Sequence, residues 1–313
     1  MNAPGTPLPL GLGLDAGGTQ TRWALARPDG SLLAHGQVAP ISGAQLTHDD
    51  GRAAVAHALG CAADESRRFG AATGVVAGVT GLGAEHAPAL HALLAQAFTL
   101  PLAAVASMSD IELACHAAFA PGQGYVVYAG TGSIAAFIDS AGTLHRAGGR
   151  GAVIDDGGGG HWIARQALRL VWRAEDEAPG AWQQSALAQA LFDTLGGSDW
   201  AATRQWVYGA SRGELGTLAL AVAQAAHQGD APALALLHDA GAELARLGLA
   251  LHRRLGPRPV ALAGRVFDLH PAIETALRNS LQAAVPAGIA VQRLVLHAHH
   301  TAARLAAAQG KPT

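Results

Sequence analysis

The sequence predicts an α/β protein built from two similar domains. Two of its segments share one pattern: an apolar run, a glycine-rich turn that carries a threonine, a second apolar run, a polar turn, and a third short strand that ends in glycine. The first copy begins at Gly11 and the second at Gly124. Apolar runs bounded by turn residues are typical of strands joined in hairpins. The repeat of one antiparallel meander therefore predicts two domains of similar construction.

Helices and further strands follow each meander. The predicted helices are 49–69, 85–97, 161–174, 185–195, 214–227, 231–255, 271–284 and 301–308. The strands predicted outside the meanders are 72–80, 102–106 and 259–263. Strands that alternate with helices after a meander are typical of mixed sheets covered by helices.

The composition argues against a polyanionic partner. The chain has 313 residues, which is enough for two domains with cores of their own. Its formal net charge is −2, only 14% of its residues are charged, and no basic block is present. Binding to nucleic acid or to an acidic membrane surface therefore has no electrostatic support.

The cysteines and the apolar stretches predict a soluble, cytoplasmic protein. Cys61 and Cys115 cannot form a disulfide framework and fit a reducing compartment. The opening MNAPGTPLPL lacks a basic region followed by an apolar one, so we expect no signal peptide. Pro, Gly, Gln and His interrupt the uncharged stretches, so we expect no membrane span.

The glycine turns of the two meanders are candidate phosphate-binding loops. Glycines next to a hydroxyl residue expose several backbone N–H groups to one point, where anionic oxygens can bind. One such turn is equally typical of an ordinary hairpin, but two related turns could hold one polyphosphate from both sides. Asp15, just before the first turn, could hold Mg²⁺ through water or could be a plain turn carboxylate. The turn residues are Gly17, Gly18 and Thr19, then Gly130, Thr131, Gly132 and Ser133.

Five segments carry a resemblance to a known family. They run in order from about Leu12 to Gly264: LDAGGTQTR, SMSDIELACHAAF, YAGTGS, GGRGAVIDDGGGGHWIA and ALAGRV. They resemble the motifs of the actin-like ATPase and sugar-kinase superfamily, and more closely its N-acetylglucosamine kinase, glucosamine kinase and BadF/BcrA-type ATPase branch. The resemblance implies two ribonuclease-H-like domains with ATP and a sugar in the cleft between them. It implies a first domain at 8–115, completed by a C-terminal helix at 299–313, and a second at 116–298 with a helical insertion.

The resemblance also implies roles for individual residues. The two turns, together with Thr21, would bind the ATP phosphates, and Gly264 would lie beside adenosine. Asp15 would hold Mg²⁺. Asp110, between a strand and a helix, would be the base that accepts the proton of the sugar hydroxyl. A carboxylate at that position is also a common helix N-cap.

The run VIDDGGGGHWIARQA, residues 153–167, would belong to the sugar site. Gly148-Gly149-Arg150 and Asp156 match the family's sugar-binding pattern, in the form that looks like glucosamine kinases. The resemblance implies sugar contacts by Gln45, Gly149, Arg150 and Asp156. The glycines would let backbone approach the ligands, and the helix from His161 would point its positive end toward them. The alternative is a flexible surface loop capped by Asp156.

Some positions depart from the resembled pattern. Gly157 stands where an acidic or amide residue is usual, and Arg265 stands where a second glycine is common. His297, His299 and His300 cluster near the C-terminus, and a polar loop explains them better than a metal site because no second ligand group with zinc spacing accompanies them.

These observations predict an ATP- and Mg²⁺-dependent hexosamine kinase that phosphorylates the 6-hydroxyl of N-acetylglucosamine or glucosamine, and the resemblance implies a homodimer. One alternative is a BadF-type activator that couples ATP hydrolysis to electron transfer from a shared iron–sulfur cluster. Cys115-His116 looks like its first cluster motif, but the second cysteine is missing. The other alternative is a nucleotide-binding regulator without turnover, which Gly157 and Arg265 favour.

Overall fold

The computed structural model describes residues 9–309. The opening segment, the expected domain start at residue 8 and residues 310–313 of the expected C-terminal helix lie outside the described residues. The chain forms two compact units. The first contains the residues up to Phe119 and those from Leu296 onward, and the second is Ala120–Val295.

A five-stranded sheet forms the centre of the first unit. Its strands are β1 (Leu10–Ala16), β2 (Thr21–Ala26), β3 (Leu32–Val38), β4 (Ala72–Val79) and β5 (Val105–Ser109). They lie in the order β3-β2-β1-β4-β5. The first three strands pair antiparallel, whereas β4 and β5 run parallel to β1. The connecting helices are α1 (Asp49–Arg67), α2 (Ala87–Phe98) and α3 (Asp110–Ala118).

The sheet of the second unit repeats this topology. Its strands are β6 (Tyr125–Ala129), β7 (Ser133–Ile138), β8 (Leu144–Gly148), β9 (Val260–Ala263) and β10 (Val291–Arg293). They lie in the order β8-β7-β6-β9-β10, with β9 and β10 parallel to β6. The predicted duplication is therefore confirmed at the level of strand order and direction. Strand β10 was not predicted, because it is short and its side chains are largely exposed.

Seven helices accompany the second sheet. They are α4 (Gly160–Glu177), α5 (Ala186–Leu195), α6 (Trp200–Gly209), α7 (Arg212–Thr217), α8 (Ala219–His227), α9 (Ala231–Leu255) and α10 (Pro271–Ala284). The single helix predicted at 214–227 is wrong, since two helices meet there. Ser211 and Glu214 form a capping box that starts α7 early. Helix α6 was not predicted; Asp199 caps it by accepting a hydrogen bond from the Ala202 N–H at 2.8 Å.

The last helix, α11 (Ala298–Gln309), belongs to the first unit and packs on β1. A Cβ on Gly11 would lie 2.0 Å from the Ala307 N, and one on Gly13 would lie 2.1 Å from the Ala303 N. Any side chain at either glycine would therefore push α11 off the strand. The helix starts three residues earlier than predicted, and His299 is buried in its first turn. The expectation of a polar loop around His299 is wrong.

The boundary of β5 determines where Asp110 lies. The strand predicted at 102–106 is shifted, because residues 102–104 form a short 3₁₀ turn and β5 runs instead from Val105 to Ser109. The strand therefore ends directly before Asp110. Within residues 9–309, no helix has the length and apolar character needed to cross a membrane.

Candidate active site

Two acidic residues lie at one edge of the first sheet. Strands β1, β4 and β5 are parallel, so their carboxyl ends share that edge. The register aligns Asp15 with Gly78 and Gly78 with Met108, two residues before Asp110. Gly78 has no side chain to stand between them, and a Cβ there would lie 2.4 Å from Leu113 Cδ2 of α3.

The two carboxylates interact electrostatically. Burial raises the pKa of Asp15, and the negative charge of Asp110 raises it further. Arg22, the cross-strand neighbour of Asp15 on β2, acts in the opposite direction. The pair therefore brings like charges together, and a bound cation or a proton would relieve their remaining repulsion.

Asp110 is not the N-cap of its helix. Ser109 holds that position, and its Oγ accepts a hydrogen bond from the Glu112 N–H at 3.3 Å. Asp110 is the first residue of α3, and its Oδ1 accepts from the Ile111 N–H at 2.9 Å. Its Oδ2 has no hydrogen-bond partner within residues 9–309. The capping explanation for Asp110 is therefore wrong, and one carboxylate oxygen is left for another role.

The first glycine turn is open at its tip. The Gly17 N–H donates to the Gln20 carbonyl at 3.1 Å, which closes the hairpin. Gly18 and Thr19 are exposed, and a Cβ on Gly18 would meet no atom within 4 Å. Thr21 is different: it pairs with Ala16 on β1 and is fully buried. Its side chain therefore faces away from the side of Asp15, so the structure does not bring Thr21 to the candidate site.

Gln45 lies beside the end of β4. The Gly43 N–H donates to the Thr80 carbonyl at 2.9 Å, which places the 3₁₀ turn of residues 43–47 there. The Gln45 Oε1 accepts from the Ser42 N–H at 2.7 Å. Its side-chain oxygen is therefore engaged within the turn.

The second glycine turn and Gly264 meet at the carboxyl ends of β6 and β9. The Gly130 N–H donates to the Gly132 carbonyl at 2.9 Å, and the Ser133 hydroxyl donates to the Gly157 carbonyl at 2.7 Å. Gly264 has a φ of +103°, and a Cβ there would lie 2.2 Å from the Ala129 carbonyl oxygen. Only glycine fits a position this close to the start of the turn. Arg265, the next residue, is exposed.

The glycine run 157–160 is buried, so the surface-loop explanation is wrong. A Cβ on Gly159 would lie 2.8 Å from the Cα of Gly132, and one on Gly160 would lie 3.2 Å from the Gly216 carbonyl oxygen. The glycines thus bring one backbone segment against the second turn and against α7. The N-cap of α4 is Gly159 and not Asp156.

The amino end of α4 is already in use. The Gly160 N–H donates to the Gly130 carbonyl at 2.8 Å, and the His161 N–H donates to the Thr131 carbonyl at 3.0 Å. The helix was expected to point its positive end toward the ligands, and these two of its donors bind protein carbonyls. Its first donors instead fix the second glycine turn.

Asp156 is buried and paired with an arginine that sequence reasoning missed. Its carboxylate forms an ion pair with Arg212, the first residue of α7. Burial raises the pKa of Asp156, whereas Arg212 and the backbone N–H groups of Gly151 and Ser133 act against that shift. The capping sequence Ser211–Glu214 could have located α7, but no local pattern connects Arg212 with Asp156.

The side chain of Glu243 lies where a side chain at position 157 would be. A Cβ at this position would lie 2.7 Å from Glu243 Oε2 of α9. Glu243 also accepts a hydrogen bond from Arg246 at 2.8 Å, and Arg246 donates to Asp155 at the same distance. An acidic group is therefore present beside Gly157, supplied by another helix.

Gly149 and Arg150 follow β8. The Gly149 N–H donates to the Ser133 carbonyl at 3.0 Å, which ties this bend to the second glycine turn. Gly149 has a φ of +64°, which favours glycine. Arg150 is exposed.

The cysteines offer little to an iron–sulfur cluster. Cys115 is buried in α3, and burial together with the negative charge of Glu112 raises its pKa to about 12. A cluster needs thiolates, which this environment disfavours. Cys61 lies on α1. Across residues 9–309, no group of three or more His, Cys, Asp or Glu side chains is arranged to hold a metal ion.

The sequence matches the BadF/BadG/BcrA/BcrD ATPase family over residues 12–304. The chain belongs to this family. The glycine turns and Asp15 and Asp110 lie at the carboxyl ends of β1, β5 and β6, and Gly264 follows β9.

Solved structures share the fold of this BadF/BadG/BcrA/BcrD family member. A protein from Chromobacterium violaceum, described as a putative N-acetylglucosamine kinase, has a TM-score of 0.73 and 25% identity, with 96% of this chain and 99% of that chain covered. A second protein so described, from Porphyromonas gingivalis, has a TM-score of 0.70 and 19% identity over 93% and 96% of the two chains. A ROK family glucokinase from Streptomyces griseus, in complex with glucose and AMPPNP, has a TM-score of 0.57 and 19% identity over 95% and 98%.

Proposed function

We propose that this protein is an ATP-dependent hexosamine kinase. It transfers the γ-phosphoryl group of ATP to the 6-hydroxyl of N-acetylglucosamine or glucosamine and releases ADP. The observation that carries the proposal is the pair Asp15 and Asp110 at one sheet edge, in a member of this ATPase family. The likeness to the protein from Chromobacterium violaceum supports a sugar as the acceptor.

Asp110 is the general base. The sugar O6 attacks the γ-phosphorus, the bond from the γ-phosphorus to the β–γ bridging oxygen breaks, and the hydroxyl proton passes to Asp110. Oδ2 is the oxygen suited to accept that proton, because Oδ1 is held by the Ile111 N–H. Phosphoryl transfer depends mostly on positioning and charge stabilisation, so one well-placed carboxylate is sufficient.

Asp15 holds Mg²⁺. The residues fit a divalent cation, because a partly buried carboxylate beside another negative charge gains from a cation that neutralises both. Mg²⁺ takes few protein ligands when phosphate oxygens and water complete its shell, which agrees with an acidic pair. When bound, Mg²⁺ neutralises the charge on the phosphates.

The glycine turns bind the phosphates and Gly264 lies beside adenosine. The first turn offers the exposed Gly18 and Thr19, and the second offers the segment Gly130–Ser133. The backbone N–H groups of such glycine-rich turns suit phosphate oxygens. The sugar hydroxyls are bound by Asp156, with Gly149, Arg150 and Gln45 as further contacts.

The test is an ADP-release assay with Mg²⁺ and a panel of N-acetylglucosamine, glucosamine, glucose and the 6-deoxy sugars. The wild type should release ADP with the amino sugars and not with their 6-deoxy forms. Asp110→Asn should lower kcat by at least about 10²-fold, the contribution typical of a general base. It should still bind ATP.

Glu112→Gln is the matched control, since it removes one negative charge from the same turn of α3. It should keep near-normal turnover. Normal turnover by Asp110→Asn would refute the role of Asp110. ATP binding by the wild type with no response to any sugar would refute the kinase and favour a regulator.

A further inference from the structure

Arg212 is held by α7 beside the second glycine turn. Gly216, on the same helix, packs against this turn, and a Cβ on Gly216 would lie 3.4 Å from Thr131 Cγ2 and 3.5 Å from the His161 N. At its start, α7 is fixed by the capping box in which the Ser211 N–H donates to Glu214 Oε2 at 2.7 Å. The backbone that carries Arg212 is thus anchored at both ends of this short helix.

The guanidinium of Arg212 covers Gly132. A Cβ on Gly132 would lie 2.3 Å from Arg212 Nη2 and 2.6 Å from Asp156 Oδ2. The side chain of Arg212 is 47% exposed, whereas that of Asp156 is 3% exposed. Arg212 can therefore contact a ligand while it is still paired with Asp156. The Asp156 carboxylate can contact a ligand only on the side where Arg212 now lies.

We propose that Arg212 exchanges partners when nucleotide binds: it leaves Asp156 for a phosphate of the nucleotide at the second glycine turn, and Asp156 then accepts a hydrogen bond from the sugar. Arg212 would thereby make the binding of nucleotide and sugar cooperative. The part of this inference that concerns sugar binding by Asp156 rests on the proposed function. The part that concerns phosphate binding by Arg212 requires only that the protein binds a nucleotide.

The exchange is physically reasonable for three reasons. Arginine binds phosphate in the same two-pronged geometry that it uses for carboxylate, so the alternative partner is at least as good. The nearby backbone of Gly151 and Ser133 lowers the pKa of Asp156 independently of Arg212, so the carboxylate charge remains partly stabilised when the arginine departs. A sugar hydroxyl then donates the remaining hydrogen bond, which avoids an unpaired buried carboxylate.

Binding coupled in this way is reciprocal: nucleotide must tighten sugar binding by the factor by which sugar tightens nucleotide binding. Calorimetry measures the dissociation constants of three ligands, each alone: the ATP analogue AMPPNP, adenosine and the sugar. The sugar is also measured in the presence of saturating AMPPNP. In the wild type, AMPPNP should tighten sugar binding by about fivefold or more, the usual lower range of such coupling.

Arg212→Met should weaken AMPPNP binding by about tenfold or more, because a charge-assisted contact is lost. It should leave adenosine binding unchanged and abolish the coupling. Arg212→Lys keeps the charge and should retain part of both effects. The matched control is Arg278→Met, which removes a partly exposed arginine paired with Glu274 on α10 of the same unit and should change neither.

A double variant, Asp156→Asn with Arg212→Met, covers the case in which the lone buried carboxylate unfolds the protein. It should fold and still bind adenosine with wild-type affinity and AMPPNP weakly. The inference is overturned if Arg212→Met binds AMPPNP within about twofold of wild type, if adenosine weakens equally, or if coupling persists. If any of these results overturns the role of Arg212 while the wild type still phosphorylates sugars, the exchange is refuted and the proposed kinase activity is not.

Discussion

Burial of Asp15 and the negative charge of Asp110 both raise the pKa of Asp15, although the two residues belong to β1 and to the start of α3. Parallel β1, β4 and β5 bring them together, and Gly78 on β4, which lies between them in the register, contributes no side chain of its own there. The arrangement costs stability in the absence of a cation, because two like charges share one partly desolvated edge. Such a cost is typical of sites built for a ligand.

Asp15→Asn should therefore stabilise the metal-free protein. A folded-state pKa raised above the unfolded value means that stability is highest at low pH and falls as pH rises through the folded pKa. At pH 8 the neutral amide avoids this loss, so we expect Tm to rise by about 1–3 °C, the shift that a change near 1 kcal/mol gives in a chain of this size. Thermal unfolding with EDTA measures it.

Asp139→Asn is the control with the opposite sign. The hydrogen bond from His145 lowers the pKa of Asp139, so removing this carboxylate should lower Tm at pH 8. At pH 4 the gain from Asp15→Asn should shrink. A lower Tm for Asp15→Asn at pH 8 would contradict the electrostatic account of this pair.

Gly18→Ala separates a ligand contact from a packing contact. A methyl group at Gly18 meets no protein atom within 4 Å, and the residue does not have a positive φ. The free energy of unfolding should stay within about 0.5 kcal/mol of wild type, as for other open surface positions. The affinity for ATP should nevertheless fall, because the methyl group stands where phosphate approaches.

Gly60→Ala in α1 is the control, since a methyl group there also meets nothing within 4 Å. It should stabilise the helix by about 0.5–1 kcal/mol and leave ATP binding unchanged. Unchanged ATP affinity in Gly18→Ala would remove the first turn from the phosphate site.

Gly158 and Gly157 should respond differently to alanine. Gly158 has a φ of +81°, and its Cβ would lie 2.6 Å from the Ala240 carbonyl oxygen, part of a rigid helix backbone. At Gly157 the nearest atom is Glu243 Oε2, at the end of a flexible side chain, which can shift at a smaller cost than helix backbone. Gly158→Ala should cost at least about 2 kcal/mol more than Gly157→Ala in urea unfolding. Equal losses would show that the α9 contact does not fix this loop.

Acidification should destabilise the first unit through His299. Burial, together with the charges of His300 and Arg22, lowers the pKa of His299 to about 3. A depressed pKa means that stability is complete above the unfolded value near 6.5 and is lost as pH falls below it. One proton changes the free energy of unfolding by about 1.4 kcal/mol per pH unit.

His299→Phe removes this titration and therefore tests whether His299 causes the loss of stability at low pH. Its free energy of unfolding should change less than that of wild type between pH 7 and pH 5, because Phe binds no proton. His57→Phe, at an exposed position of α1 outside the α11 cluster, is the control and should follow the wild-type profile. Parallel pH profiles for wild type and His299→Phe would contradict the prediction.

The sequence predicted the duplicated sheets well, because each meander leaves a local record of apolar runs and turn glycines. Helices α9 and α10 were predicted with their observed bounds, since proline or aspartate marks their starts. The break between α7 and α8 was missed, because Leu215 and Leu218 flank it and the alanines of α8 favour a helix.

Contacts distant in sequence were harder to predict. The ion pair of Asp156 with Arg212 and the packing of Glu243 against Gly157 join separate helices to one loop, and no periodicity connects them. The glycines of the run 157–160 were predicted to admit ligands, yet they mainly admit neighbouring backbone. The four glycines indicate that another group approaches the backbone of residues 157–160. Only the tertiary structure identifies that group.

The return of the chain to the first unit through α11 has a consequence for biosynthesis. On the ribosome, the sheet of residues 10–109 emerges long before residues 298–309 are translated, so the glycine-lined surface of β1 stays uncovered in the nascent chain. Domains that fold as they are made normally finish in order from the amino terminus. Here the first unit begins to fold first and is completed last. Any product truncated before Ala298 leaves the surface of β1 exposed to chaperones and proteases.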